Sequence, residues 1–222
     1  MLTLVYGIDW TSNRDYIMDL LAQDVAQRQR GRILLVPELI SHESERHLCR
    51  VAGDTCSRYA EVLSFSRLTG RICEWSNCAV KECMDNGGRV IAMAAAARQL
   101  HSKLKSYASV ETRPEFLSGL IDAVDEFKRC CITAQDLAAA AQQTQGIFAQ
   151  KLEELSLLLE AYDAICQQGK LDPRDQLSWG LEQLNNCDFA ENHVFYIDGF
   201  PDFTIQNMSV ISHLIENSPQ EN

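Results

Sequence analysis

Positive charge is in short supply here: 20 Lys and Arg stand against 31 Asp and Glu, a formal net charge of −11. That balance excludes a chain-wide electrostatic grip on a nucleic-acid backbone, so any such contact has to be local or shared with a partner. No run of about 18 apolar residues occurs, so no transmembrane helix is expected. C-x-x-C is absent although there are nine cysteines, and on a helix the spacing Cys73, Cys78, Cys83 would rotate each side chain about 140° from the last. A zinc or iron–sulfur site held wholly by this chain is therefore not expected, and the thiols read as small hydrophobes. His42, His47, His101, His193 and His213 form no H-x-x-x-H pair and read as surface or capping residues. The opening MLTLVYGIDW reaches Asp9 after too few apolar residues for a signal sequence, so a reducing, cytoplasmic setting with free thiols is expected.

What is present is the balance of a globular protein: 222 residues, 46% hydrophobic and 23% charged. LTLVYG at 2–7 reads as a buried strand. A helix capped by Ser12 or Asn13 follows, closed by Gly31, and RILLVP at 32–37 reads as a second strand stopped by Pro37. Strand, helix and strand within forty residues predict a parallel α/β sheet. Ser41 or Ser44 caps the next helix, which Gly53 ends, and a short strand covers 60–64. A helix capped by Ser64 or Ser66, carrying Leu68, Ile72, Trp75 and Val80, is then expected to run to Asn86-Gly87-Gly88.

From Arg89 to about Gln168 the sequence holds one proline, little glycine and a strong 3.6-residue period, and so reads as a helical block. Pro114 starts one helix, Thr133 caps another, and Phe148, Leu152, Leu155, Leu159, Tyr162 and Cys166 form a stripe on a third. The strand character returns at HVFYIDGF, which places Asp198 at the end of a buried strand, on the edge where open α/β sheets bind ligands. A helix resumes near Thr204 with Met208, Ile211, Leu214 and Ile215 on its buried face, and the sequence stops before a strand closes that unit. The expected organisation is one α/β domain over 1–86 and 170–222 and a helical subdomain over 87–169.

In this order, LVPELISHESER, LSFSRL, a helical insertion, GKLDPRDQL and FYIDGFPDFTIQ resemble the N-terminal region of the AddB/RexB family. These are the B subunits of bacterial ATP-dependent helicase/deoxyribonucleases that act on double-strand breaks in recombinational repair. The resemblance covers essentially the whole chain. It implies a RecA-like domain of the superfamily-one helicase type with an inserted helical subdomain, and an A subunit as heterodimeric partner. Family members are several times longer, and their nuclease motifs and 4Fe-4S cysteines lie mainly downstream. No cofactor is therefore expected in this fragment, the family's magnesium, cluster and ATP belonging to the full complex.

A phosphate loop needs small residues, then Lys and Ser or Thr. The corresponding stretch is G-I-D-W-T-S-N-R: Gly7 remains, Asp9 and Trp10 intrude, Asn13 stands for Lys and Arg14 for Ser or Thr. Helicases of this class end the later strand in Asp-Glu, the Asp on magnesium and the Glu activating water. Here the pair is Asp198-Gly199, so Gly7, Asn13, Arg14 and Asp198 outline a degenerate nucleotide site and no catalytic residue is assigned. The resemblance implies single-stranded DNA running across the same edge, as in recognition of the regulatory Chi sequence. Phe65 and Arg67 suit base stacking and phosphate contact, Ser41 can donate to phosphate, and Phe200 and Phe203 follow another strand end. Each has a structural alternative. Phe65 can instead pack its helix together with Leu68, Phe200 and Phe203 can fill the sheet edge, and Arg67 can pair internally with Glu61 or Asp198. Three functions stay open: a DNA-binding module without a motor, a scaffold for the A subunit, and a divergent NTPase that uses Asp198.

Overall fold

The computed structural model describes residues 2–7, 9–107 and 113–219. They divide into two compact units, Met1–Val80 with Leu177–Asn222, and Lys81–Gln176. The first is α/β, built on a three-stranded, wholly parallel sheet in the order β2-β1-β3.

β1 (Arg32–Leu35) lies in the centre, between β2 (Ala60–Leu63) and β3 (Val194–Ile197). Its four residues are all buried, as expected of an inner strand covered on both faces. Strand alternation sorts the side chains. Ile33, Leu35, Leu63, Phe195 and Ile197 face one core, with residues of α3 (Phe65–Ser76), α8 (Gln176–Leu184) and α9 (Ile205–Asn217). Leu34, Val62 and Tyr196 face the other, with α1 (Trp10–Ala26) and α2 (Ser41–Ala52). In-register pairs such as Leu34↔Val62 and Leu34↔Tyr196 keep both faces coherent, because a one-residue slip would turn every apolar side chain outward.

Several expectations are corrected here. Residues 2–7 do not form a strand: Leu4 is 74% and Tyr6 92% exposed, and only Val5 packs against a core. An apolar run becomes a strand only where an edge accepts its backbone groups, and residues 2–7 pair with neither outer edge of the sheet, that of β2 or that of β3. α1 is capped by Asp9, whose carboxylate accepts from the Thr11 N–H at 3.1 Å and the Ser12 hydroxyl at 2.8 Å, and it ends at Ala26, before Gly31. Neither Ser41 nor Ser44 caps α2; the Ser41 hydroxyl donates to the Glu38 carbonyl and Ser44 lies a turn inside. Ser64 caps α3, which stops at Ser76 because Asn77 turns left-handed at φ +54°, leaving Val80 outside and exposed. The rotation argument for the cysteines therefore fails: the chain reverses, the Cys78 N–H donates to the Cys73 carbonyl at 2.9 Å and the two thiols meet. In α9, Val210 and Gln206 are buried with Ile211 and Leu214, whereas Met208 and Ile215 are exposed.

The second unit is helical, with α4 (Asn86–Gln99), α5 (Pro114–Arg129), α6 (Ala134–Gln142) and α7 (Gly146–Gln167) around one core. Pro114 takes the first turn of α5, where its missing N–H costs nothing, and Thr133 with Asp136 forms a capping box on α6. Leu159, Tyr162 and Cys166 of the α7 stripe are buried, but Phe148 is 61% exposed. Among the described residues no helix is long and apolar enough to cross a membrane.

His193, just before β3, is a buried core histidine. Its ring stacks on Phe189 with centroids 4.2 Å apart, and Nδ1 lies 2.7 Å from the Phe189 carbonyl oxygen. Burial pushes the imidazole below its ordinary 6.5, only partly offset by that carbonyl. Because the unfolded chain then takes the proton first, the stabilisation is complete above pH 6.5 and is lost as pH falls toward the lowered folded value. Denaturation at pH 7.5 and 5.5 should show a loss on the order of 1 kcal/mol that His193→Gln reduces, His213 being displaced in the same direction by burial.

Candidate nucleic-acid interface at the sheet edge

The three parallel strands end in register at Leu35, Leu63 and Ile197, so the segments that follow them converge on one edge. At its β3 end Asp198 continues the ladder toward the central strand, its N–H donating to the Leu35 carbonyl at 3.0 Å. Its carboxylate is not open. Arg14, projecting from the second turn of α1, places Nε 3.0 Å from Asp198 Oδ2, with both side chains 11% exposed. The Nη2 of the same guanidinium donates to Ser44 Oγ at 3.3 Å, and its carbon lies 5.6 Å from the Trp10 ring centroid. Gly199 turns the chain away at φ +79°, where a Cβ would lie 2.6 Å from Ile40 Cδ1. A side chain at 199 is thus excluded by both backbone and space.

This arrangement does not fit a nucleotide. Gly7 and Asn13 are adjacent, a Cβ on Gly7 falling 2.7 Å from Asn13 Oδ1, but the sequence of the unit that carries them contains no lysine. Arg14, placed where a loop would offer a hydroxyl to magnesium, pairs instead with Asp198, the carboxylate that would stand on the metal side. All four predicted residues are thus brought to one corner, Arg14 and Asp198 as an internal ion pair and Gly7 packed closely against Asn13.

Beside this corner runs a short aromatic series. Phe65, first residue of α3, is 8% exposed and lies 5.3 Å from Phe200 between ring centroids; Phe200 lies 5.1 Å from Phe203, which is 41% exposed. The three predicted rings do meet, but graded from core to solvent, so only Phe203 offers substantial ring surface. Leu39, in the segment after β1, is 98% exposed. Ser41 is buried and its hydroxyl is committed to the Glu38 carbonyl, leaving it no proton to donate to phosphate. Arg67 is 48% exposed and pairs with Glu45 at 2.9 Å. Neither partner foreseen for it is used, because Glu61 holds Arg71 through two contacts of 2.7 Å and Asp198 holds Arg14. An exposed pair such as Arg67–Glu45 contributes little to stability.

A sequence model of the family described as "ADDB, N-terminal" matches residues 4–221. The chain belongs to that family. Its relatives include proteins named as the B subunit of an ATP-dependent helicase/deoxyribonuclease: one from a Thermoanaerobacter species, 29% identical over 84% of this chain and 16% of the relative. Another, from Clostridium botulinum, is 25% identical over 98% of this chain and 19% of the relative, and a third, from Clostridium tetani, is 24% identical over 100% and 20%. The chain therefore spans a fifth or less of the length of these relatives.

Within this AddB N-terminal chain, sequence reasoning missed Ser44 and Glu45 as partners of Arg14 and Arg67. SHESER marks Ser44 locally as a helix cap, and the partners stand 30 and 22 residues away. Nor did anything local mark Arg14 and Asp198 as a pair, since they are separated by 184 residues.

Proposed function

We propose that this chain is a RecA-like, motor-inactive module of the B subunit of a helicase/nuclease in double-strand break repair by recombination. It holds single-stranded DNA along the sheet edge without hydrolysing ATP, in a heterodimer with an A subunit. The observation that carries the reading is the Arg14–Asp198 pair: it fills the corner where ATP chemistry would need an open carboxylate, while Phe203 and Leu39 beside it remain exposed. Bases stack on Phe203, with Phe200 and Phe65 supporting it from beneath. Arg67 releases Glu45 for a phosphate, and Ser41 acts through its turn rather than as a donor. With a net charge of −11, binding by the isolated chain is weak and strengthened by the partner.

The test is fluorescence anisotropy of a labelled single strand at two salt concentrations, with and without ATP and magnesium. Salt-sensitive binding indifferent to ATP is expected. Phe203→Ala should weaken it by about 5- to 100-fold, the range of one base–aromatic stack. Arg67→Ala should lower the salt slope by about one contact. Magnesium-dependent ATP turnover lost in Asp198→Ala would replace this reading with a divergent NTPase. No binding at low salt would favour a scaffold that docks the A subunit, for which the exposed Ile91, Ile147 and Phe148 of the helical unit are the supporting observation.

A further inference from the structure

Apart from the sheet edge, the α/β unit brings two thiols together. Cys49 lies in the last turn of α2, and Cys56 opens the turn that leads into β2. Between them Gly53, at φ +84°, ends the helix and reverses the chain: its N–H donates to the Cys49 carbonyl at 3.0 Å, and its carbonyl accepts from the Cys56 N–H at 3.1 Å. The reversal sets the two sulfurs 3.6 Å apart, in van der Waals contact and unbridged. The pair is asymmetric in access. Cys49 is exposed, whereas Cys56 is 2% exposed within the core formed by α1, α2 and β1. Burial and the neighbouring thiol push Cys56 up to about 11, so Cys56 stays protonated at neutral pH and Cys49 is the sulfur that meets a solution oxidant.

We infer that Cys49 and Cys56 form a reversible, peroxide-driven disulfide that clasps the end of α2 to the turn before β2. The Cys49 thiolate attacks a peroxide oxygen; the S–O bond forms, the O–O bond breaks, and a proton from solvent completes the departing water. The Cys56 sulfur then attacks the Cys49 sulfur; the S–S bond forms, the S–O bond breaks, and the second water leaves with the proton that Cys56 gives up. In sum two thiols and one hydrogen peroxide become one disulfide and two waters, the sulfurs supplying both electrons. A dithiol reductant reverses the step. Among the other cysteines Cys78 also returns beside Cys73, but Cys73 is buried and Cys78 half-buried, so that pair lacks the open sulfur that Cys49 offers; Cys166 is buried, and Cys130 and Cys131 are neighbours along the chain and exposed. The clasp fixes the helix whose first half presents Ser44 to Arg14 and Glu45 to Arg67.

The whole chain is treated with hydrogen peroxide, the remaining thiols are alkylated under denaturing conditions, and unreduced tryptic peptides are mapped by mass spectrometry. Cleavage after Arg50 falls between the two cysteines, so the bridge holds two peptides together. The expected result is that linked pair, a loss of two hydrogens, seven of the nine thiols still alkylated, and full reversal by dithiothreitol. Cys56→Ser should stop at a sulfenic acid on Cys49 that dimedone traps, and Cys49→Ser should leave Cys56 unoxidised. Circular dichroism checks that both variants are folded. Over-oxidation of Cys49 with Cys56 still alkylated, or a bridge from Cys49 to any other cysteine, would overturn the inference.

Discussion

Asp172→Ala is expected to destabilise the helical unit by about 3–5 kcal/mol, the cost of removing one partner from a buried ionic network. Asp172 follows α7, and its side chain is fully buried. One oxygen accepts from the Arg174 N–H at 2.7 Å, capping the 173–175 turn. The other accepts from the Tyr162 hydroxyl and from Arg89 Nε, and lies 3.8 Å from Lys128 Nζ. Around it Arg89 and Arg174 share Asp125, while Lys128 also holds Asp163 and Asp175, at 2.9 and 2.6 Å. Burial alone would lower the Lys128 ammonium, but Asp175, Asp163 and Asp172 together raise it, so it stays charged. Burial and the Asp172 carboxylate push the Tyr162 phenol up, which keeps it a donor.

In Asp172→Ala the Tyr162 hydroxyl and Arg89 Nε lose their acceptor inside the protein, and the turn loses its cap. In Asp172→Asn an acceptor oxygen remains but the charge is gone, and a smaller loss is expected. Urea denaturation followed by circular dichroism should show the midpoint falling by about 2 M for the alanine variant. Trp10, Trp75 and Trp179 all lie in the α/β unit, so tryptophan fluorescence reports that unit separately. An unchanged midpoint would mean that the network contributes nothing net.

The second large effect is expected at Glu154, a carboxylate of α7 that is 3% exposed. It accepts from the backbone N–H groups of Lys105 at 3.0 Å, Ser106 at 2.9 and 3.1 Å, and Tyr107 at 3.3 Å, and from Gln150 Nε2 at 3.0 Å. Burial would raise its pKa, but these donors together hold it below the ordinary 4.5. The stabilisation is therefore complete above pH 4.5 and lost as pH falls through the lowered folded value. Glu154→Ala leaves three backbone donors without their acceptor, at a cost of about 3 kcal/mol. Glu154→Gln points an amide donor at those N–H groups and should cost part of that. Amide exchange is the direct measurement: the Lys105, Ser106 and Tyr107 amides should lose protection in Glu154→Ala, and unchanged protection would refute the staple.

Both networks were hidden from sequence reading for one reason. LDPRD reads locally as a helix stop with a turn, which it is, but nothing local says that its first carboxylate receives a tyrosine from α7 and an arginine from α4. Glu154 sits in an apolar stripe as one more polar letter of a helix. Similarly, the strand expected at 2–7 had the right composition but pairs with neither edge of the sheet, which composition does not report.

The sequence by itself determined the parallel α/β class, three strands within 32–37, 60–64 and 193–200, the helical character of the middle, the Pro114 and Thr133 helix starts, and membership of the AddB N-terminal family. The elements follow from periodicity, caps and turn residues acting over a few positions, where side-chain spacing alone fixes the geometry, and the family follows from the match of the whole sequence to its relatives. Only the tertiary structure decided that Arg14 closes on Asp198, that Phe65 is core while Phe203 is surface, that Ser41 is spent on its own turn, and that Cys49 faces Cys56. Each of these depends on which elements the sheet and helix packing set side by side, or on how a turn reverses the chain. A charge or a thiol finds its partner through space, and the order of residues along the chain does not carry that distance.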